Sequence, residues 1–154
     1  MQETAESIKA KSTALRLIAR AEQCSAGLTR KLEKRGFDST CVSGVISGLC
    51  ESNLIDDNRF ARFWLQSRLH FTRSPRQLLS SLCARGIDRD DAQDALKSVL
   101  DEDAELSLME RYVKKLSRKK SRKNNGGDPS RSIKQILKNE GFSYDVINRF
   151  LGEE

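Results

Sequence analysis

Apolar residues along this chain fall three, four and seven positions apart, with polar residues between them. Ala14, Leu17, Ile18 and Ala21 make one such stripe, Val42, Val45, Ile46 and Leu49 a second, and Val146, Ile147, Phe150 and Leu151 a last one. That spacing puts side chains on one face of a helix, and nowhere do Val, Ile and Thr alternate with polar residues as a strand requires. Three stretches also stop in the same way. Leu28, Leu32, Gly36, Phe37 and Asp38 are answered by Leu78, Leu82, Gly86, Ile87 and Asp88, and again by Ile133, Leu137, Gly141, Phe142 and Ser143. Glycine takes the left-handed conformation that ends a helix, and Asp or Ser then opens the next one. The glycines stand 50 and then 55 residues apart, which is the signature of an array of similar helical units.

The pattern predicts three triplets of helices. The first is expected to begin near Ser12 or Thr13; Ser25 caps its second helix, and Asp38 caps a third that stops near Asn53. Asp56 and Asp57 open the second triplet, where carboxylates meet the positive end of a helix dipole. Phe60, Phe63, Trp64 and Ser67 share a face there, and helical spacing assigns the aromatics to the core rather than to base stacking. Ser74 reads as a cap with Pro75 at the first helical position, and Asp88 caps the helix of Ala92, Ala95, Leu96 and Leu100. Asp101, Glu102, Asp103 and Glu105 start the third triplet, whose apolar line is Ala104, Leu108, Tyr112 and Leu116. Asn124 to Pro129 is the strongest helix breaker in the chain and predicts a loop. The expected fold is therefore all-α, with three tandem three-helix repeats over residues 12–55, 56–100 and 101–154, the last carrying a basic loop over 119–129.

Charge adds a candidate surface. Of 154 residues, 28 are Lys or Arg and 22 are Asp or Glu, a formal charge of +6 that suits nucleic acid or an acidic protein groove. The excess is uneven. Lys114, Lys115, Arg118, Lys119 and Lys120 belong to a run reaching Lys123, with no acid between Arg111 and Gly127, and could grip phosphates or simply complement a helix end. Arg59, Arg62, Arg68, Arg73, Arg76 and Arg85 punctuate the second triplet without a lysine among them. Arginine holds carboxylates and phosphates through a rigid fork, so these are candidate partner contacts; the alternative for Arg59 and Arg62 is pairing with Asp56 or Asp57.

Other chemistry is not foreshadowed. Cys24, Cys41, Cys50 and Cys83 lack the paired spacing of a zinc site, and His70 is the sole histidine. Nine residues on one helix would hold Cys41 and Cys50 roughly 13 Å apart, too far for a disulfide, so all four are expected as reduced thiols in a cytosol. Asp88, Asp90, Asp91 and Asp94 lack the glycine and glutamate of a calcium loop. No phosphate-cradling glycine loop, nucleophile elbow or metalloprotease motif occurs, so neither a cofactor nor an enzyme is expected. The N-terminus shows no secretory signal and no stretch approaches the ~20 apolar residues of a membrane span, which suggests a soluble cytoplasmic protein.

The segment from Leu54 to Trp64, with Arg68, Ser74-Pro75-Arg76-Gln77-Leu78, Leu82 and Gly86-Ile87, resembles the signature of the RecX family, small bacterial regulators of the RecA recombinase. The similarity extends from about Ala14 to the C-terminus; Ser74 departs from it, standing where the family usually has glycine, and Gly27 where it commonly has glutamate. The resemblance implies an elongated, curved, monomeric molecule that lies in the groove of a RecA–DNA filament and mostly inhibits strand exchange and the coupled ATP hydrolysis. It implies weak, non-specific contact with single- or double-stranded DNA, and Arg59, Arg62, Arg68 and Arg76 as matching contact positions. A tandem helix-turn-helix DNA reader is the rival, although the third helices carry Cys41, Val45, Asp90, Asp91 and Asp94 rather than residues that read base edges. A pure protein scaffold without DNA affinity is a further alternative.

Overall fold

The computed structural model describes residues 3–120 and 129–152. Every regular element among the described residues is an α-helix: α1 (Ala5–Arg20), α2 (Ser25–Lys34), α3 (Ser39–Glu51), α4 (Asp57–Arg68), α5 (Pro75–Ala84), α6 (Arg89–Val99), α7 (Glu102–Lys120), α8 (Pro129–Asn139) and α9 (Tyr144–Leu151). The repeated stop is one motif built three times. Gly36, Gly86 and Gly141 have φ of 95°, 92° and 86°. The next residue, Phe37, Ile87 or Phe142, donates its N–H to the carbonyl of Leu32, Leu82 or Leu137 at 3.4, 3.2 and 3.2 Å. These bonds satisfy carbonyls that a helix end would otherwise leave unpaired, while the three leucines are fully buried.

The chain gathers into two compact units, Met1–Phe63 with Leu82–Ala92 and Trp64–Ser81 with Gln93–Glu154. In the first, α1, α2 and α3 pack on one another around Ala10, Ala14, Leu28, Leu32, Val42 and Leu49. Helix α1 begins at Ala5, not near Ser12. Thr4 is its cap, with Oγ1 accepting from the Ser7 N–H at 3.1 Å while Ser7 Oγ donates back to the Thr4 carbonyl. The extra turns bury Ala10 but leave Ile8 exposed, so no clean apolar stripe announces them. Asp38 caps α3 as expected, accepting the Thr40 N–H at 3.1 Å. Asn53 ends that helix with φ of 60°, and Leu54 and Ile55 fold back onto the Leu49 carbonyl at 3.0 and 3.2 Å.

Helix α4 corrects the aromatic assignment. Phe60 and Trp64 are buried, but Phe63 is 60% exposed; Ala61 and Leu65 complete the inward face instead. In the second unit α7 and α8 each pack on α9, with Leu108, Met109, Leu137, Val146 and Ile147 buried and the Tyr112 and Phe142 rings 5.7 Å apart. Asp101 caps α7 by accepting the Ala104 N–H at 2.8 Å. Ser74 and Gln77 form a reciprocal capping box on α5, at 3.0 and 3.2 Å, with Pro75 as the first helical residue. Helix α7 continues through Lys120 and α8 opens at Pro129, so the stretch expected as loop over 119–129 is helical at both ends. Residues 121–128 of that stretch, and the side chains of Lys120 and Pro129, lie outside what the structure describes. Among the described residues no helix is long and apolar enough to cross a membrane.

Candidate functional site

Helix starts organise the charged residues of the first unit. The sequence assigns Ser25 as a cap, but it is the first residue of α2, and the Cys24 side chain makes no capping bond. Asp57, at the start of α4, does the capping: Oδ1 accepts the Ser25 N–H at 2.7 Å and Oδ2 the Ser25 hydroxyl at 2.6 Å. A carboxylate at a helix N-terminus satisfies an orphan donor and meets the dipole favourably. Asp56 stays local and accepts the Arg59 N–H at 3.0 Å.

Arg59 is held from three sides. Its Nε donates to Glu22 Oε1 at 2.7 Å, Nη1 to the Asn53 carbonyl at 3.1 Å and Nη2 to the Leu54 carbonyl at 3.3 Å. The hydrogen bond to Glu22 raises the guanidinium further above its ordinary range. Pairing is thus with Glu22, not with the Asp56 or Asp57 side chains considered as alternatives. Burial, then the charges of Asp57, Asp56 and Glu51, push the Cys50 thiol up.

The second unit holds the denser cationic site. Arg111, Lys114, Lys115 and Arg118 stand three, four and seven positions apart on α7, one stripe of a helix, and with Thr72 they line an open cleft of about 400 Å³. Two of them fasten the loop over 69–74 that joins α4 to α5. Arg111 Nη2 donates to the Leu69 carbonyl at 2.8 Å, and Lys115 Nζ to the Thr72 carbonyl at 3.2 Å. Lys114 and Arg118 are exposed, as is Lys119.

The other sequence candidates scatter. Arg62 and Arg73 are exposed. Arg68 is half-buried, its guanidinium 5.4 Å from the Trp64 ring and 5.7 Å from the Phe71 ring. Arg76 is exposed, 3.5 Å from Glu140 Oε1. Arg85 is exposed, and its carbonyl accepts from Cys24 Sγ at 3.6 Å and Arg30 Nη2 at 3.0 Å. Sequence reasoning missed Arg111 and Thr72. The stripe spacing was a usable signal for Arg111; nothing local announces Thr72. Among the described residues no group of three His, Cys, Asp or Glu is placed to hold a metal.

Comparison with known proteins supplies what this geometry alone does not. Residues 56–96, which carry all six arginines of the series, match the family described as RecX, second three-helix domain. The regulatory protein RecX of Treponema pallidum (strain Nichols) is 35% identical over 147 residues, covering 95% of this chain and 85% of that protein. The chain belongs to the RecX family. Another RecX relative, the regulatory protein of Mycobacterium avium (strain 104), is 30% identical over 139 residues, covering 90% of this chain and 80% of its own length. The crystal structure of RecX from Lactobacillus salivarius shares the fold at a TM-score of 0.75 and 23% identity, over 96% of this chain and 95% of that one. A second crystal structure, of a regulatory protein RecX, gives a TM-score of 0.79 at 22% identity, over 96% of this chain and 72% of that one.

Proposed function

We propose that this chain is a non-enzymatic, cytoplasmic regulator that binds a RecA–DNA filament and mostly inhibits strand exchange and the coupled ATP hydrolysis. The observation that carries the reading is similarity along nearly the whole chain to proteins named regulatory protein RecX, together with exposed cations in both units. The mechanism is occupancy. Arg62, Arg73, Arg76, Lys114 and Arg118 engage acidic walls of the protein groove or DNA phosphates, so that exchange of filament subunits is altered mechanically. Arg59, tied to Glu22 and two carbonyls, serves as a positioning residue for the start of α4. The purified chain titrated into RecA on single-stranded DNA should lower ATP turnover at substoichiometric ratios; unchanged turnover up to an equimolar ratio defeats the reading.

A further inference from the structure

We propose that the loop over 69–74 and the adjoining face of α7 form a site for single-stranded nucleic acid, with Phe71 stacking on a base and Lys114 and Arg118 holding phosphates beside it. The inference rests on the regulatory reading for its biological setting and names the ligand of the cationic cleft, which that reading leaves open.

The loop is fastened to α7 and to itself by hydrogen bonds. Arg111 and Lys115 hold the carbonyls of Leu69 and Thr72, the Phe71 N–H bonds to the Arg68 carbonyl at 3.0 Å, and the Arg73 N–H to the Phe71 carbonyl at 2.9 Å. What the fastened loop presents is an aromatic ring. Phe71 is 48% exposed, supported by His70 with ring centroids 4.4 Å apart and by the Arg68 guanidinium at 5.7 Å. Other large apolar side chains are also exposed, Phe63 and Tyr144 more so; Phe71 is set apart by its place in the loop that cations of α7 fasten.

Thr72, the next residue, lines the cleft, and the other lining residues are all cations. Proteins that hold single strands combine these two parts, a positive groove that follows the backbone and aromatic faces on which bases stack. A duplex can use the cations but not the ring, because its bases already stack on each other. An acidic polypeptide can likewise use the cations but offers no base face to Phe71.

The probe is a fluorescent oligothymidylate, titrated with the full chain and followed by anisotropy. Phe71→Ala should weaken this binding about tenfold, the worth of one stacked base, and leave duplex binding within about twofold. Phe71→Leu should behave like Phe71→Ala, because it keeps apolar bulk without the π face. Lys114→Ala with Arg118→Ala should lower the slope of log affinity against log salt by about 1.4, the share of two single-strand phosphate contacts. Thermal unfolding of each variant should match the parent, since these side chains are exposed. Unchanged oligothymidylate affinity in Phe71→Ala, full rescue by Phe71→Leu, or equal losses on single strand and duplex each overturn the site. Suppression of RecA ATP turnover is read separately: its absence with a Phe71-dependent oligothymidylate complex sinks the regulatory reading alone, and the converse sinks this site alone.

Discussion

Gly36 and Gly86 share one backbone conformation in two different surroundings. A Cβ added at Gly36 meets nothing within 4 Å, whereas one at Gly86 lies 2.3 Å from the Ala26 Cβ. The turn between α5 and α6 is therefore seated directly on the start of α2, where the Arg85 carbonyl also receives Cys24 and Arg30. Gly36→Ala carries only the left-handed backbone penalty, about 1–2 kcal/mol. Gly86→Ala adds overpacking against a residue with no flexible end to move, a further ~1–3 kcal/mol. Urea denaturation should rank the two in that order, and equal losses contradict the seating. The sequence spaced both glycines identically, so it could place the left-handed turns but not show which one touches a neighbour.

At the scale of elements, two carboxylates join helix starts that are far apart in sequence. Asp57 reaches from α4 to Ser25 of α2, while Glu105 on α7 accepts the Ser143 N–H at 2.5 Å and its hydroxyl at 3.0 Å ahead of α9. The chain marks Asp57 and Glu105 as ordinary first-turn acids, and nothing local reveals that each serves another helix. Asp57→Ala should reduce unfolding free energy by about 1–3 kcal/mol, the range for a lost cap and an orphaned charged hydrogen bond. Ser25→Ala should cost less, and the double variant should lose less than the two single losses combined because both remove one interaction. Strict additivity in chemical denaturation would show that the bond between the Ser25 hydroxyl and Asp57 contributes nothing. The same scale explains α4: Phe63 has helical spacing with the buried aromatics, but the inward face is set by Ala61 and Leu65, which turn it to solvent.

Across the whole molecule, a charge of +6 leaves many cations of which only some are available. Arg59, Arg111 and Lys115 bind atoms of the chain itself, whereas Arg62, Arg73 and Arg76 stand exposed. Arg62→Glu and Arg73→Glu combined with Arg76→Ala should weaken co-sedimentation with a RecA–DNA filament without lowering the melting temperature, since the exposed pair of Arg76 with Glu140 contributes little to stability. Arg59→Glu should instead lower the melting temperature, because it sets a carboxylate against Glu22. Filament affinity unchanged by the triple variant would clear those arginines of a contact role.

The sequence by itself determined the helices, local caps such as Asp38 and Ser74, and the three glycine stops, because each is written in residues within one or two turns of one another. The same local pattern carried the resemblance to RecX proteins through the second triplet. Tertiary structure decided which cations are free, where Asp57 and Glu105 reach, why Phe63 and Phe71 face water, and that Thr72 and Arg111 share a cleft. Those outcomes depend on which side of each helix meets a neighbour, and contacts between residues tens of positions apart leave no periodic trace along the chain.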